Sequence, residues 1–199
     1  MKKVKDILYK VSVQTIIGST EVRVKHITFD SRNVSDNSLF IAIPGTNIDG
    51  HTFIDDAIKN GAGVIICQRL PSNLVEGKVY VIVEDSKIAL GLIASNFYDN
   101  PSEKIDLIGV TGTNGKTTIS TLLYKVFNSQ DISSGLISTV EIKFNKRSIL
   151  TNLTTPDPLT INSSLDEMLK SGIKKCFMEV SSHGIDQKRV YGLRFKGIL

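Results

Sequence analysis

The chain has 199 residues, 41% hydrophobic and 22% charged, with a net charge of +4 from 24 Lys and Arg against 20 Asp and Glu. This composition excludes wholesale disorder, collagen-like repeats and disulfide-dense scaffolds, and the length allows one large or two small domains. The basic residues cluster no further than pairs such as Lys2-Lys3, Lys174-Lys175 and Lys188-Arg189, and the apolar runs are short, so neither nucleic acid nor membrane is expected as a partner.

In chain order, a short helix is expected over 5–11 and a strand over 24–29, followed by Asp30-Ser31-Arg32. A second strand over 39–43 closes at Pro44-Gly45. Phe53, Ile54, Ala57 and Ile58 share one face of a helix over 51–60, which Gly61 ends. Buried strands over 64–67 and 79–83 precede a helix over 86–98. Asp99-Asn100-Pro101-Ser102 then breaks the pattern as a linker.

The alternation restarts with a strand over 105–110, a helix over 117–128 and a strand over 135–139. A hairpin over 140–150 turns at Asn145-Lys146. Asp157 and Pro158 suit the cap and first position of a helix over 158–170, and a strand over 175–180 follows. Residues 195–199 read as the start of one more strand. Alternating strands and helices imply an α/β fold with mainly parallel sheets. Two domains are expected, residues 1–99 and 100–199, the second truncated. The alternative is an edge strand at a natural terminus.

Cys67 and Cys176 each sit in an apolar run with no C-x-x-C, which reads as two buried thiols in a reducing compartment, the cytoplasm. The basic N-terminus lacks the long apolar core of a secretory leader.

The strongest chemical signal runs from Gly109 to Thr118, Gly-Val-Thr-Gly-Thr-Asn-Gly-Lys-Thr-Thr, between a strand and a helix. In that context glycines let backbone N–H groups face phosphate oxygens, and the helix N-terminus adds a positive end. Gly112, Thr113, Asn114, Gly115, Lys116, Thr117 and Thr118 are the candidate nucleotide-binding residues, with Lys116 on the β- and γ-phosphates and Thr117 on Mg²⁺. The usual first glycine of this loop type is replaced by Val110, and a glycine turn with an accidental Gly-Lys-Thr is the bland alternative. No Asn-Lys-x-Asp guanine-reading motif occurs, which argues against a switch GTPase.

Glu179 ends a buried strand, where parallel sheets bind ligands, and is the second candidate Mg²⁺ ligand; a solvated strand-end Glu is the competing reading. His183 could touch phosphate, orient Glu179 or cap the next helix. Arg189 suits an anionic group or an ordinary surface.

Three blocks carry a resemblance: Asp30-Ser31-Arg32 through Leu39 to Gly45 and Asp49-Gly50-His51; Gly109 to Thr118; and Met178 to Val190. On these the chain resembles the Mur ligases of peptidoglycan synthesis, in particular those forming the tripeptide. The resemblance implies a uridine-nucleotide-binding domain followed by the first part of an ATPase domain. The implied activity is ATP- and Mg²⁺-dependent amide formation between UDP-N-acetylmuramoyl-dipeptide and a diamino acid, meso-diaminopimelate being the commoner choice. It also implies catalytic roles for Lys116, Glu179 and His183. Phe29, Ser31, Thr46 and Asn47 would line the uridine nucleotide site. Thr154, Thr155, Ser181, Gln187 and Arg189 would hold the muramoyl-peptide end. Leu153 departs from an Asn that relatives often carry before the two threonines. The chain is expected to be the N-terminal portion of a monomeric enzyme, inactive alone. A non-catalytic module binding UDP-sugar and ATP is the alternative.

Overall fold

The structure, a computed structural model, describes residues 1–45 and 48–199. It divides into two compact units, Met1–Phe97 and Tyr98–Leu199.

The first unit contains, in order, β1 (Lys2–Lys3), α1 (Val4–Ile7), β2 (Val13–Ile17), β3 (Arg23–Val24), β4 (His26–Thr28), β5 (Ser38–Ile41), α2 (Ile54–Lys59), β6 (Ala62–Cys67), β7 (Val79–Val83) and α3 (Ser86–Phe97). Five strands form a sheet in the order β2-β7-β6-β5-β4, parallel except for the β2–β7 pair. β1 and β3 make a separate antiparallel pair. β5, β6 and β7 are buried along most of their length, which is why they read as unbroken apolar runs instead of alternating ones. Phe40, Ile65, Cys67 and Tyr80 of these strands meet Ile54 and Ala57 of α2 in one core.

Several elements depart from the sequence expectation. The strand over 24–29 is two strands in two sheets, separated at Lys25, whose N–H is drawn to the Asn37 carbonyl at 3.0 Å. The helix over 5–11 is a single turn, and Lys10 at φ 62° has left the helical region. The helix over 51–60 opens with a 3₁₀ turn, Gly50–Phe53, before α2 begins. β2 has no counterpart in the sequence reading. It is an edge strand, mostly exposed, with an irregularity between Val13 and Thr15, so it lacks a clean periodicity.

A buried imidazole holds the 3₁₀ turn to the sheet. The Asp49 carboxylate accepts the His51 backbone N–H at 3.0 Å and contacts His51 Nδ1 at 2.6 Å. His51 Nε2 accepts the Gln68 backbone N–H at 2.9 Å, so the ring proton belongs on Nδ1 and goes to Asp49. Arg69 closes the group from the other side of Asp49.

In the second unit the elements are β8 (Asp106–Val110), α4 (Lys116–Ser129), β9 (Gly135–Ile137), β10 (Glu141–Phe144), β11 (Arg147–Leu150), α5 (Pro158–Lys170), β12 (Lys175–Glu179), α6 (Ser182–Asp186) and β13 (Gly197–Ile198). The sheet order is β11-β10-β9-β12-β8-β13. β9, β12, β8 and β13 run parallel, and the β10–β11 hairpin adds an antiparallel edge. The hairpin turns at Asn145, which takes the left-handed φ of 50° that asparagine tolerates. Asp157 caps α5, accepting from the Leu159 and Thr160 N–H groups at 2.9 and 3.1 Å. Ile161, Leu165 and Met168 of α5 pack on Leu107, Ile137, Ile142 and Met178 of the sheet.

The sheet order creates the site. β8 leads through α4 to β9, on one side, while β12 leads through α6 to β13, on the other. The chain therefore diverges above the neighbouring C-terminal ends of β8 and β12, and open α/β sheets bind ligands in such a crevice.

Both cysteines are buried; burial pushes the Cys67 thiol up to about 11 and the Cys176 thiol higher. Neither is a thiolate near neutral pH. No helix among the described residues is long and apolar enough to cross a membrane.

The His51 backbone N–H and imidazole, with Arg69, hold the Asp49 carboxyl down at about 2, against an ordinary value of 3.8. A depressed carboxyl contributes stability above its unfolded value, and that contribution is lost as pH falls through the folded value. Asp49→Asn is therefore expected to lower the urea midpoint at pH 6 but to flatten its fall between about pH 4 and about pH 2. Urea titrations of both proteins across that range check this.

Candidate functional site

β12 and β8 pair with Glu179 opposite Val110, so the carboxylate stands beside the residue from which the glycine loop departs. Gly112 and Gly115 take φ values of 137° and 82°, where a side chain is strained, and Gly115 is the N-cap of α4. The loop residues 111–115 are exposed. Lys116 folds back over the loop and donates to the Gly112 carbonyl at 2.6 Å, with the Thr113 carbonyl at 3.5 Å. Thr117 turns inward and Thr118 is exposed.

Glu179 is fully buried. Thr117 Oγ1 donates to its Oε2 at 3.0 Å. Thr139, just past β9, donates its backbone N–H to Oε1 at 2.9 Å and its hydroxyl to Oε2 at 3.1 Å. A buried carboxylate without such donors would be costly. Thr117 and Glu179 were both singled out in the sequence; Thr139 was not. The available signal was its place, a hydroxyl residue just beyond the C-terminal end of a buried parallel strand, where ligands gather.

The Thr117 hydroxyl and the Glu179 carboxylate are hard oxygen donors of the kind Mg²⁺ takes. Among the described residues no three His, Cys, Asp or Glu side chains form a metal-binding group. A cation here would depend on phosphate and water for its remaining ligands, as Mg²⁺ in nucleotide sites does.

A second set of residues adjoins the first through Thr155. Its buried hydroxyl contacts the Glu179 carbonyl at 3.1 Å and Ser181 Oγ at 3.1 Å, and accepts the Ser181 N–H at 2.9 Å. Arg189 donates to the Thr155 carbonyl at 2.7 Å and twice to Gln187 Oε1, at 3.1 and 2.5 Å. Gly184 lies so close that a Cβ there would stand 2.7 Å from the Thr155 side chain. Thr154 is half-buried beside this set. His183 is exposed on α6, and the cap of that helix is Ser181, whose Oγ accepts the Gly184 N–H at 3.1 Å.

Phe29 and Ser31 belong to the first unit. Phe29 is 40% exposed, and the Ser31 carbonyl accepts the Asn60 amide at 3.0 Å. Thr46 and Asn47 lie outside the described residues.

Residues 23–98 match the description "Mur ligase family, catalytic domain", and residues 110–198 match "Mur ligase middle domain". The chain belongs to the Mur ligase family. Its Mur ligase relatives include a UDP-N-acetylmuramoyl-L-alanyl-D-glutamate–2,6-diaminopimelate ligase of Cytophaga hutchinsonii, 48% identical over 98% of this chain and 40% of that protein. A solved structure under the same ligase name superposes with a TM-score of 0.80 at 25% identity, covering 99% of this chain and 39% of its own. MurF ligase from Thermotoga maritima in complex with ADP shares the fold at a TM-score of 0.55, with 24% identity over 80% of this chain and 32% of that one. The chain thus spans about two-fifths of the length of the curated Mur ligases it matches.

Thr155→Val removes the hydroxyl while keeping the shape, leaving the Ser181 N–H without its acceptor. It is expected to cost about 1–3 kcal/mol of stability, read as a lower urea midpoint with an unchanged slope.

Proposed function

We propose that these two units belong to an ATP-dependent ligase that joins a diamino acid, 2,6-diaminopimelate by the names of its relatives, to UDP-N-acetylmuramoyl-L-Ala-D-Glu. The observation that carries this reading is the 48% identity over 98% of the chain, together with a buried carboxylate hydrogen-bonded to the hydroxyl that follows the phosphate-loop lysine. In this reading residues 1–99 form the uridine-nucleotide domain and residues 100–199 the first part of the ATP-binding domain.

The chemistry has two steps. A carboxylate oxygen of the bound dipeptide attacks the γ-phosphorus of ATP, and the bond to the β,γ-bridging oxygen breaks. The products are an acyl phosphate and ADP. The diamino acid's amine then adds to the acyl carbon. The tetrahedral intermediate expels phosphate and loses a proton, leaving the amide.

Lys116 is a point charge on a short tether. In the structure its ammonium rests on loop carbonyls. Exchanging those carbonyls for β- and γ-phosphate oxygens would bring it onto charge that grows during phosphoryl transfer. Thr117 and Glu179 would hold Mg²⁺, which supplies charge neutralisation at the same phosphates when bound. The backbone N–H groups at the start of α4 suit the phosphate chain. Arg189, positioned by Gln187 and the Thr155 carbonyl, suits the anionic peptide end, with Ser181 and Thr154 beside it. Phe29, Ser31, Thr46 and Asn47 are assigned to the uridine nucleotide, and His183 to the catalytic set with Lys116 and Glu179. The enzyme is read as a cytoplasmic monomer.

In the complete polypeptide that carries these residues, Lys116→Ala is expected to cut diamino-acid-dependent ADP release by about 10²–10³-fold or more without moving the thermal midpoint. Ligation at the unaltered rate would refute the assignment. Saturable binding of UDP-muramoyl-dipeptide with no ADP release under any condition would favour a non-catalytic binding module instead.

A further inference from the structure

Thr139 is the donor that fixes how Glu179 presents its oxygens. The segment carrying it is held from several directions. Ser138 Oγ donates to the Glu141 carbonyl at 2.9 Å and accepts the Val140 and Glu141 N–H groups at 3.3 and 3.1 Å. Thr151 Oγ1 sits 2.9 Å from the Ser138 carbonyl and 2.8 Å from the Thr139 carbonyl, across from the neighbouring strand. The Thr151 N–H donates to the Val140 carbonyl at 3.2 Å. The turn is therefore rigid before any ligand arrives, and both Thr139 donors already aim at one carboxylate.

The two oxygens of Glu179 are not equivalent. Oε1 takes a backbone N–H, a donor that cannot swing away while the turn stays strapped. Among the described residues Oε2 takes two hydroxyls, from Thr117 and Thr139; the Thr117 hydroxyl can rotate to offer its own lone pair to a cation, which frees one position on Oε2 while the other keeps the Thr139 hydroxyl. One oxygen is thus committed to the protein, and the other can exchange its Thr117 partner for a cation.

We infer that Thr139 is a positioning residue that makes Glu179 a one-oxygen ligand and so selects Mg²⁺ over larger cations at the proposed nucleotide site. The inference rests on the proposed phosphate-loop reading and adds the selectivity of that site. Mg²⁺ demands near-octahedral geometry with single oxygens, whereas Ca²⁺ takes more ligands and readily accepts both oxygens of one carboxylate. Holding Oε1 on the Thr139 N–H opposes two-oxygen binding. The Thr139 hydroxyl on Oε2 sets the rotation of the carboxylate about its stem. Groups that orient a metal-binding side chain in this way change metal affinity by about 10–100-fold when removed.

Thr139 is itself exposed, so Thr139→Val should fold, which a thermal melt verifies. The test is calorimetric titration of the full chain with ADP in the presence of Mg²⁺ and, separately, of Ca²⁺. For Thr139→Val, which keeps the backbone N–H on Oε1 and loses only the hydroxyl that sets the carboxylate's rotation, affinity in Mg²⁺ is expected to fall about 10–100-fold, while affinity in Ca²⁺, whose coordination tolerates a rotated carboxylate, changes much less. Thr139→Ser, which keeps the hydroxyl, is expected to stay close to the unaltered protein in both. Equal affinities for the unaltered protein and Thr139→Val would overturn the inference and leave the nucleotide site standing. So would losses of the same size in both metals. Failure of the unaltered chain to bind ADP with either cation would overturn the phosphate-loop reading, and this inference with it.

Discussion

A carboxylate withdrawn from water must be met by donors or by a cation, because unpaired charge in a low-dielectric interior is costly. Glu179 is fully buried at the end of β12, and much of the second unit's crevice is organised around satisfying it. Thr117 reaches it from the first turn of α4, Thr139 from the turn after β9, and Thr155 secures its backbone carbonyl. Three segments far apart in sequence are thereby tied to one side chain. A loosening of any of them would disturb the glycine loop on one side and the Arg189 group on the other.

The parallel register makes this convergence possible. With Glu179 opposite Val110, the carboxylate and the glycine loop leave the sheet at the same height. β9 lies on the far side of β12, so its own C-terminal turn arrives at that height too. A shift of one residue along β12 would turn Glu179 to the opposite face of the sheet. The packing of Met178 and Cys176 in the core that includes α5 guards against that shift, because the same slip would take both off that face. The ion pair of Lys175 with Asp106, at 2.8 Å, marks the same register at the other end of the two strands.

The first unit solves a related problem with a neutral group. His51 is buried with a carboxylate on one ring nitrogen and a backbone N–H on the other, so its tautomer is dictated by its neighbours. This ties the turn before α2 to the end of β6. Both units thus fasten loops at strand ends through buried polar side chains whose partners come from elsewhere in the chain. Such fully satisfied networks rigidify the segments they join.

Much of this was legible in the sequence. Buried strands announce themselves as apolar runs, the α5 cap as Asp-Pro, and the loop into α4 as glycines ahead of Lys-Thr, because each depends on neighbours in the chain. Glu179 and Thr117 could be named one by one from their places at a strand end and a helix start. Family membership was legible for the same reason, being carried by contiguous blocks. Edge strand β2, the split of 24–29 between two sheets and the 3₁₀ start of α2 were not, since pairing partners and a side-chain cap override local pattern there. Nor was Thr139. Its role exists only because β9 and β12 become neighbours, a non-local pairing that no spacing of residues along the chain encodes. Sequence alone determined which groups could do chemistry; tertiary structure decided which of them face the same carboxylate, because hydrogen bonds form across space and not along the chain.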